Sequence, residues 1–389
     1  MSLHYYSYFK FLTVTLTLAY SSLSFAEAWN RINNPERMAY AGKFSEHKID
    51  LDYNFSHGIP SAEVTAPWAD SFWATYQGGI ANRYQYGNIN GVVPSKAELQ
   101  QNSLKKLQTL PTEELQKLSP AEKYDIYCCN YNYPLTNSEI KRTYATHQHP
   151  TEQNKWTGLC HGWAPASIHF QEPDCTTLSN KDGIQVPFNS TDVKALLDYF
   201  QGQGCKENTC TVGARCKDDP KHIRNWDAYL DVNPGTMHVV LTNLLGRGKQ
   251  ALAFDKDPAK EVWNQPLYGY SFQVLSEDNN PTYKHRARGT AKEVSVRLNL
   301  KWVDDLDEDE IGGDHPYANT ERVKKYLLNT DYEYILELDA KGNILGGRWI
   351  GKSINDHPDF IWLKQKGVFS KSSFWKPLET IYESSIKKQ

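Results

Sequence analysis

The secondary-structure signals change once along the chain, from helical to strand-like, and this change constrains the fold more than any other feature. Helix-capping patterns recur between residues 95 and 200, whereas short apolar runs of strand length dominate from residue 238 to residue 338. The order predicts an α+β fold in which a helical part precedes an antiparallel sheet.

The helical part is marked by two capping boxes, in which a serine and a glutamate three residues later satisfy the first backbone N–H groups of a helix. Ser95 with Glu98 forms the first box. Ser119 with Glu122 forms the second, with Pro120 at the first helical position. Two or more amphipathic helices are therefore expected between residues 95 and 127.

A further helix and four strands are predicted downstream. The helix begins at Ser190 or Thr191, and its apolar face is expected to consist of Val193, Leu196, Leu197 and Phe200. The predicted strands cover residues 238–242, 251–254, 294–303 and 332–338, and residues 339–343 form the turn of a closing hairpin. Helices followed by an antiparallel sheet is the arrangement of a papain-like fold.

The first 26 residues have the pattern of a secretory signal peptide. A short polar start ends at Lys10, an apolar run covers residues 11–19, and Ser24-Phe25-Ala26 offers small residues to a signal peptidase. The apolar run is far shorter than the roughly 20 residues of a membrane-spanning helix. We therefore expect cleavage after Ala26 and a secreted or extracellular protein, with the periplasm or a cell wall as alternatives.

The remaining chain divides into an irregular N-terminal region, residues 27–94, and a domain covering residues 95–389. The N-terminal region is either a packed lobe or a pro-segment removed on maturation. The 43 basic residues nearly balance the 46 acidic ones, so the charge gives no reason to expect a nucleic-acid partner. The aromatic content of 13% favours an ordered protein over a disordered tail.

The seven cysteines are an odd set, which leaves at least one thiol free in an exported monomer. Cys160 is the candidate for the free thiol, and the other six permit up to three disulfides of unassigned connectivity. Zinc is the alternative for Cys205, Cys210 and Cys216, but they lack a paired Cys-x-x-Cys pattern, so disulfides are favoured.

Cys160 also stands in the stretch most typical of a catalytic nucleophile. Residues 156–166 place the cysteine between glycines and tryptophans at the start of a predicted helix, where the helix dipole favours a thiolate. Pro165 predicts that regular hydrogen bonding begins late or is kinked. The alternative interpretation is an ordinary buried core cysteine.

A cysteine nucleophile needs a base, and the base needs an orienting group. His238 is predicted to open a strand and Asp255 to end the next one, so a hairpin turning at residues 245–249 brings them to one end of the sheet. Together with Cys160 they form a candidate Cys-His-Asp triad. Asp257 is the alternative orienting residue.

Three further features near these residues receive secondary interpretations. His161 is interpreted as structural or substrate-lining, because adjacent helical residues point to different faces. The oxyanion hole is expected to combine the Cys160 N–H with a side chain from Gln153, Asn154 or Trp156. The acidic run 304–310 lacks the spacing of a calcium loop and is predicted to be a solvated loop.

Three separated motifs resemble those of the oomycete transglutaminase elicitors, secreted cell-wall proteins of Phytophthora that plants detect. Residues 158–165, Gly-Leu-Cys-His-Gly-Trp-Ala-Pro, resemble the active-site motif of that family. Residues 262–270, Val-Trp-Asn-Gln-Pro-Leu-Tyr-Gly-Tyr, are similar to its surface elicitor peptide, in which valine and arginine replace Leu267 and Tyr268. Residues 338–360 resemble its C-terminal hairpin.

The resemblance implies a protein-glutamine γ-glutamyltransferase with a papain-like arrangement and a calcium requirement. Cys160 would be the nucleophile, His238 the base and Asp255 the orienting residue, while Trp263 and Pro266 match residues on which the elicitor peptide depends. The expected partners are protein glutamines and lysines or other primary amines.

Two other functions remain open at this point. A cysteine protease or glutamine deamidase would use the same triad with water as the acceptor. A non-catalytic binding or elicitor protein would keep the scaffold without the chemistry.

Overall fold

The computed structural model describes residues 30–40, 48–84, 91–215, 231–306 and 321–386. The predicted signal peptide, Cys216 and the acidic residues 307–310 lie outside these ranges. None of the helices in the described ranges combines the length and apolarity that a membrane span requires.

Most helices precede the large sheet in the chain. In the described residues they are α1 (Tyr53–His57), α2 (Lys96–Gln101), α3 (Leu104–Leu107), α4 (Thr112–Gln116), α5 (Pro120–Tyr127), α6 (Pro134–Gln148), α7 (Cys160–His169), α8 (Ser190–Tyr199), α9 (Pro234–Val240) and α10 (Lys376–Ser385). The strands are β1 (Ser61–Glu63), β2 (Thr176–Ser179), β3 (Gln185–Phe188), β4 (Thr209–Gly213), β5 (Leu252–Asp255), β6 (Asn264–Asp278), β7 (Lys292–Val303), β8 (Leu327–Leu338), β9 (Ile344–Trp349) and β10 (Phe360–Lys364).

One antiparallel sheet organises the second half of the molecule. Its strand order is β4-β10-β5-β6-β7-β8-β9, and β1 pairs with β6 off this path. A separate hairpin joins β2 and β3. The mixed helical and antiparallel architecture agrees with the predicted α+β class.

Two hydrophobic cores lie on opposite faces of this sheet. Side chains alternate between the faces of a strand, and in β5 Leu252 and Phe254 belong to one core while Ala253 contacts Ala164 of α7. The first core, on the α7 side, joins the helices of the N-terminal half. The second core, on the other face, is closed by α9, whose residues Met237, Val239 and Val240 are fully buried.

Local signals in the sequence located several elements correctly. Both capping boxes are present, at Ser95 with Glu98 and at Ser119 with Glu122. The helix predicted from Ser190 or Thr191 begins at Ser190 and is capped by Asn189, and its predicted apolar face is buried at Val193, Leu196, Leu197 and Phe200. The strand predictions at 251–254, 294–303 and 332–338 are confirmed by β5, β7 and β8.

The predicted closing hairpin is also present. It connects β8 and β9, and Asp339 Oδ1 accepts hydrogen bonds of 2.8 Å from the N–H groups of Lys341 and Asn343. Gly342 has a φ of 89°, which a glycine adopts without strain.

The strand predicted at residues 238–242 is wrong. These residues belong to α9 and to the π-helical turn Leu241–Arg247 that continues it. Asn233 caps the helix by accepting a hydrogen bond from the Gly235 N–H, and Pro234 occupies its first position. Because α9 is buried on all sides, its apolar residues form a continuous run that periodicity cannot distinguish from a strand.

The predicted disulfides are not seen among the described residues. No two described cysteines lie at disulfide distance, and the free thiols include Cys128, Cys129, Cys160, Cys205 and Cys210. The parity argument therefore does not single out Cys160 in this structure.

The N-terminal region contributes to both the sheet and a core. β1 adds to the sheet by pairing with residues 269–271 of β6. Trp68, Trp73 and Ile80 are buried in the first core, and Trp163 of α7 donates a hydrogen bond of 3.1 Å to the Trp68 carbonyl. Residues 48–84 are thus packed with the domain predicted to begin at residue 95.

Candidate active site around Cys160

Cys160 is the first residue of α7. The N–H groups of Gly162 and Trp163 donate to the Leu159 carbonyl at 2.7 and 2.8 Å, so the helix is regular from its first turn even though Pro165 lies within it. The first N–H groups of a helix have no acceptor inside the helix and point outward with a partial positive charge. The thiol therefore stands at the end of the helix that favours a negative charge.

The stretch before Cys160 is held against the N-terminal region. The Leu159 N–H donates to the Phe72 carbonyl at 2.5 Å, and the Thr75 N–H donates to the Thr157 carbonyl at 2.8 Å. A Cβ atom on Gly158 would lie 2.2 Å from the Phe72 oxygen. This close backbone contact explains why a glycine precedes Leu159.

Gly162, which follows Cys160 in α7, allows α7 and α8 to approach each other. A Cβ atom on Gly162 would lie 2.1 Å from the Asp198 carbonyl of α8. The glycines on either side of Cys160 therefore fix the position of α7 against two neighbouring segments.

The Cys160 thiol is buried and has two polar neighbours. Its sulfur receives a hydrogen bond from Asn264 Nδ2 at 3.4 Å and lies 3.6 Å from the Val262 carbonyl, to which it donates. Burial raises the pKa of the thiol, the hydrogen bond from Asn264 lowers it, and the nearby charge of Asp255 raises it. The side chain is only 5% exposed, so a substrate reaches it only if the site opens.

Asn264 has a fixed orientation because both ends of its amide are engaged. Its Oδ1 accepts a hydrogen bond of 2.8 Å from the Trp362 indole N–H, and its Nδ2 faces the Cys160 sulfur. Trp362 itself packs against Ala164 and Ala253, between α7 and β5.

Asp255 lies on the same face of the sheet as Cys160. It ends β5 two residues after Ala253, pairs with Asn264 of β6, and its Oδ1 accepts a hydrogen bond of 2.8 Å from the Trp263 N–H. Its Oδ2 is buried and has no hydrogen-bond partner among the described residues. Burial raises the pKa of this carboxyl group to about 8.

The rival aspartate has a turn contact instead. Asp257 Oδ1 accepts a hydrogen bond of 3.0 Å from the Ala259 N–H. The arrangement therefore favours Asp255 over Asp257 as the acid that shares the Cys160 site.

The structure does not bring His238 to Cys160. His238 lies on α9 in the second core, across the sheet, where its Nδ1 is 2.8 Å from the Tyr334 hydroxyl and its ring packs on Phe272. Its Nε2 is buried without a hydrogen-bond partner in the described ranges. Burial lowers the pKa of this imidazole to about 3, so it is neutral at pH 7.

His161 faces away from the thiol, toward the end of α8. Its Nε2 lies 2.8 Å from Gln203 Nε2, and burial lowers its pKa to about 4. These contacts agree with the structural alternative that the sequence offered for His161.

Two of the three predicted oxyanion side chains, Asn154 and Trp156, make hydrogen bonds within their own loop. Asn154 accepts a hydrogen bond from the Thr151 N–H, and the Trp156 indole donates to the Gln153 carbonyl. The side chain that does contact the sulfur, Asn264, was missed by sequence reasoning. The available signal was its position within the motif 262–270, beside the strand that carries Asp255.

The elicitor-like motif does not lie on the surface that the resemblance implies. Residues Asn264–Tyr270 form the buried start of β6, between β5 and β7, and only Val262 and Trp263 of the motif are partly exposed. The Trp263 ring meets the Phe72 ring edge-to-face at 5.5 Å. Pro266 pairs with Ala253 inside the sheet.

The described part of the acidic run is less solvated than predicted. Asp304 and Asp305 are half-buried beside Gln265, whose Nε2 lies 3.3 and 3.5 Å from their Oδ1 atoms. Within the described ranges, no three histidine, cysteine or acidic side chains converge as ligands for a metal ion. The calcium requirement that the resemblance implies therefore stays a prediction.

The chain is similar to a known protein family in sequence and to a solved structure in fold. The sequence model of the transglutaminase elicitor family matches residues 42–372. The fold is similar to the crystal structure of the GP42 transglutaminase from Phytophthora sojae, with a TM-score of 0.64 and 21% identity over 92% of this chain and 98% of that one. No curated protein sequence gives a significant match. At this identity the structural likeness establishes the fold alone.

Proposed function

Because the chain belongs to the transglutaminase elicitor family, we propose that it transfers the acyl group of a protein glutamine side chain to a primary amine. The observation that supports this most directly is the environment of Cys160. A thiol at the start of α7 lies against Asn264 and shares one face of the sheet with the buried acid Asp255. A cysteine at the start of a helix that packs against an antiparallel sheet is a papain-like arrangement, and we include that arrangement in the proposal.

In the first half-reaction, Cys160 Sγ attacks the carboxamide carbon of the glutamine. The thiol proton passes to the Asp255 carboxylate, and the protonated Asp255 then gives it to the departing nitrogen, which leaves as ammonia. A carboxyl group with a pKa of about 8 exchanges protons readily near neutral pH. The product is a thioester between Cys160 and the glutamine side chain.

In the second half-reaction, a lysine or another primary amine attacks the thioester carbon. Asp255 takes a proton from the amine and passes it to the Cys160 sulfur as the carbon–sulfur bond breaks, so an isopeptide bond forms and Cys160 is released as a thiol. His238 has no part in this scheme because it lies in the second core across the sheet. The rings of Phe72 and Trp263 pack together next to the segment that carries Cys160. We propose that they limit the access of water to the thioester.

The proposed location is extracellular. The support is the leader pattern at residues 1–26, followed by a chain without a membrane-spanning helix in its described part. Protein glutamines and primary amines outside the cell are therefore the proposed substrates.

The test is incorporation of a labelled primary amine into a glutamine-rich protein by the wild type and by Cys160→Ala, with and without calcium. We expect labelling by the wild type and none by the variant, while a control change at another free cysteine, Cys210→Ala, retains labelling. Equal labelling by wild type and Cys160→Ala would contradict the proposal.

Product masses separate the alternative activities. New chain termini indicate a protease, a gain of about one dalton per glutamine indicates a deamidase, and a joined species indicates transfer to an amine. If the Cys160 thiol does not react with thiol reagents in the folded protein, a non-catalytic elicitor or binding protein is favoured.

A further inference from the structure

The orientation of the Asn264 amide follows from its contact with Trp362. An indole N–H is a donor only, so the group that accepts from it at 2.8 Å must be the Asn264 carbonyl oxygen. The Asn264 NH₂ group therefore points at the Cys160 sulfur, 3.4 Å away. Without this contact the two ends of the amide could exchange places, and an oxygen would face the sulfur.

The position of Trp362 is fixed by the core on the α7 side of the sheet. Trp362 lies in β10, is 7% exposed, and packs against Ala164 of α7 and Ala253 of β5. In the sheet it pairs with Ala253 on one side and with Thr211 on the other. Ala164 and Ala253 are small enough to leave room for the indole between α7 and β5. The orientation of the Asn264 amide therefore depends on the distance between these two elements.

Two N–H donors from different parts of the chain lie next to the Cys160 side chain. One is the Asn264 NH₂ group, which is 4% exposed. The other is the outward-pointing backbone N–H at the start of α7. Such a pair of fixed N–H donors in a water-poor site is how enzymes stabilise negative charge on a carbonyl oxygen during acyl transfer.

We propose that Asn264 Nδ2 is the side-chain donor of the oxyanion hole at Cys160 and that Trp362 is the positioning residue that holds it there. The proposal rests on the proposed function, because the oxyanion would form on the carbonyl oxygen of the glutamine carboxamide. It replaces the upstream donors Gln153, Asn154 and Trp156 with a residue 104 positions from the nucleophile.

The test compares Asn264→Ala and Trp362→Phe with wild type in steady-state amine incorporation. Trp349→Phe, a tryptophan loss in β9 next to the second core, is the matched control. We expect kcat to fall about 100-fold for Asn264→Ala, as for the loss of one oxyanion donor. For Trp362→Phe we expect a smaller loss of about 10-fold, because the amide is kept but loses its orientation.

The split between kcat and KM separates this role from simple substrate binding. An oxyanion donor acts in the transition state, so KM should stay within about threefold of wild type while kcat falls. An unchanged kcat with a raised KM in Asn264→Ala, at an unchanged melting temperature, would overturn the proposal.

A second measurement does not depend on transglutaminase activity. The rate of Cys160 alkylation by iodoacetamide is followed against pH in the full-length protein by the mass of the Cys160 peptide. Loss of the Asn264 donor should move the alkylation midpoint to higher pH, and the Trp349→Phe profile should match wild type. If wild type incorporates no amine but this shift is observed, the proposed function fails and the Asn264 contact stands. If the Asn264→Ala profile equals wild type, the inference is overturned whatever the activity.

Discussion

For single residues, burial sets the protonation states at the site. It raises the pKa of the Cys160 thiol and brings that of Asp255 to about 8, so both groups carry their protons at neutral pH. A neutral thiol beside a neutral acid is the form that a buried site tolerates at least cost. Asp255 can accept the thiol proton only in its ionised form, so the predicted reaction rate should rise as the pH approaches 8.

Asp255→Asn should change thiol reactivity and turnover in opposite directions. Above pH 8 the Asp255 carboxylate raises the pKa of Cys160, so the neutral asparagine should speed alkylation of Cys160 near pH 9 and change it little near pH 7. Amine incorporation should fall about 100-fold or more because the proton carrier is lost. Peptide masses and a labelled-amine assay measure the two effects, with Asp257→Asn as the control. Wild-type turnover in Asp255→Asn would show that another group carries the proton.

His238 gives a stability prediction with a defined sign. Its pKa is about 3 in the folded protein, whereas an unfolded chain has an ordinary histidine pKa of about 6.5. Protons therefore bind the unfolded chain preferentially, and the stability present above pH 6.5 is lost as the pH falls toward 3.

The comparison is between wild type and His238→Gln, which does not titrate there. Between pH 6 and pH 4, the unfolding free energy of wild type relative to the variant should fall by about 1.4 kcal/mol per pH unit. Urea unfolding at several pH values measures this difference. Parallel pH curves for the two proteins would show that His238 is not held neutral by burial.

Between elements, a buried ion pair connects α5 to α8. Lys123 Nζ lies 2.6 Å from Asp192 Oδ2, and both side chains are fully buried. Asp192 also accepts a hydrogen bond of 3.0 Å from the Tyr84 hydroxyl and one of 2.8 Å from the Asn189 N–H. One carboxylate thus joins two helices, a helix cap and the N-terminal region.

Lys123→Met should be strongly destabilising because it leaves the Asp192 carboxylate buried without its cation. We expect a loss of about 3–5 kcal/mol in the unfolding free energy. The double variant Lys123→Met/Asp192→Asn should recover part of this loss, since asparagine is neutral and can still accept the hydrogen bond from the Asn189 N–H. Lys155→Met, at the exposed pair with Glu152, should change stability by less than about 1 kcal/mol. Equal losses at the buried and exposed pairs in urea unfolding would contradict this account.

For the whole molecule, the sheet separates two compartments, and the N-terminal region completes both. Cys160 and Asp255 face the first core, whereas His238 lies in the second. β1 extends the sheet, and the Trp68 and Trp73 side chains fill the first core next to α7. The described residues 48–84 are therefore packed with the rest of the chain, and their removal as a pro-segment stays a prediction.

A chain that begins at residue 95 should fail to fold cooperatively. It would leave the apolar surfaces that Trp68, Trp73 and Ile80 cover exposed to water, and burial of each large side chain contributes about 1.5–3 kcal/mol. Thermal unfolding followed by circular dichroism measures the loss. A truncated protein that melts cooperatively and whose Cys160 is alkylated faster than in wild type would instead identify residues 27–94 as a pro-segment.

Local features of the fold were readable from the amino-acid order. The capping boxes at Ser95 and Ser119, the start of α8 and the turn after β8 each depend on contacts within a few residues. The position of Cys160 at the start of a helix belongs to the same class. Short-range hydrogen bonds decide these features, so a window of several residues contains the necessary information.

The assembly of the site could not be read in this way. Whether His238 or Asp255 shares a face with Cys160 depends on strand register and on the side of the sheet to which α9 crosses, and no local pattern encodes either. Asn264 meets the sulfur only because β5, β6 and β10 pair in one order, which brings together residues about 100 positions apart. The local sequence therefore determines that a cysteine stands at the start of a helix. The groups that surround its thiol are determined by tertiary packing.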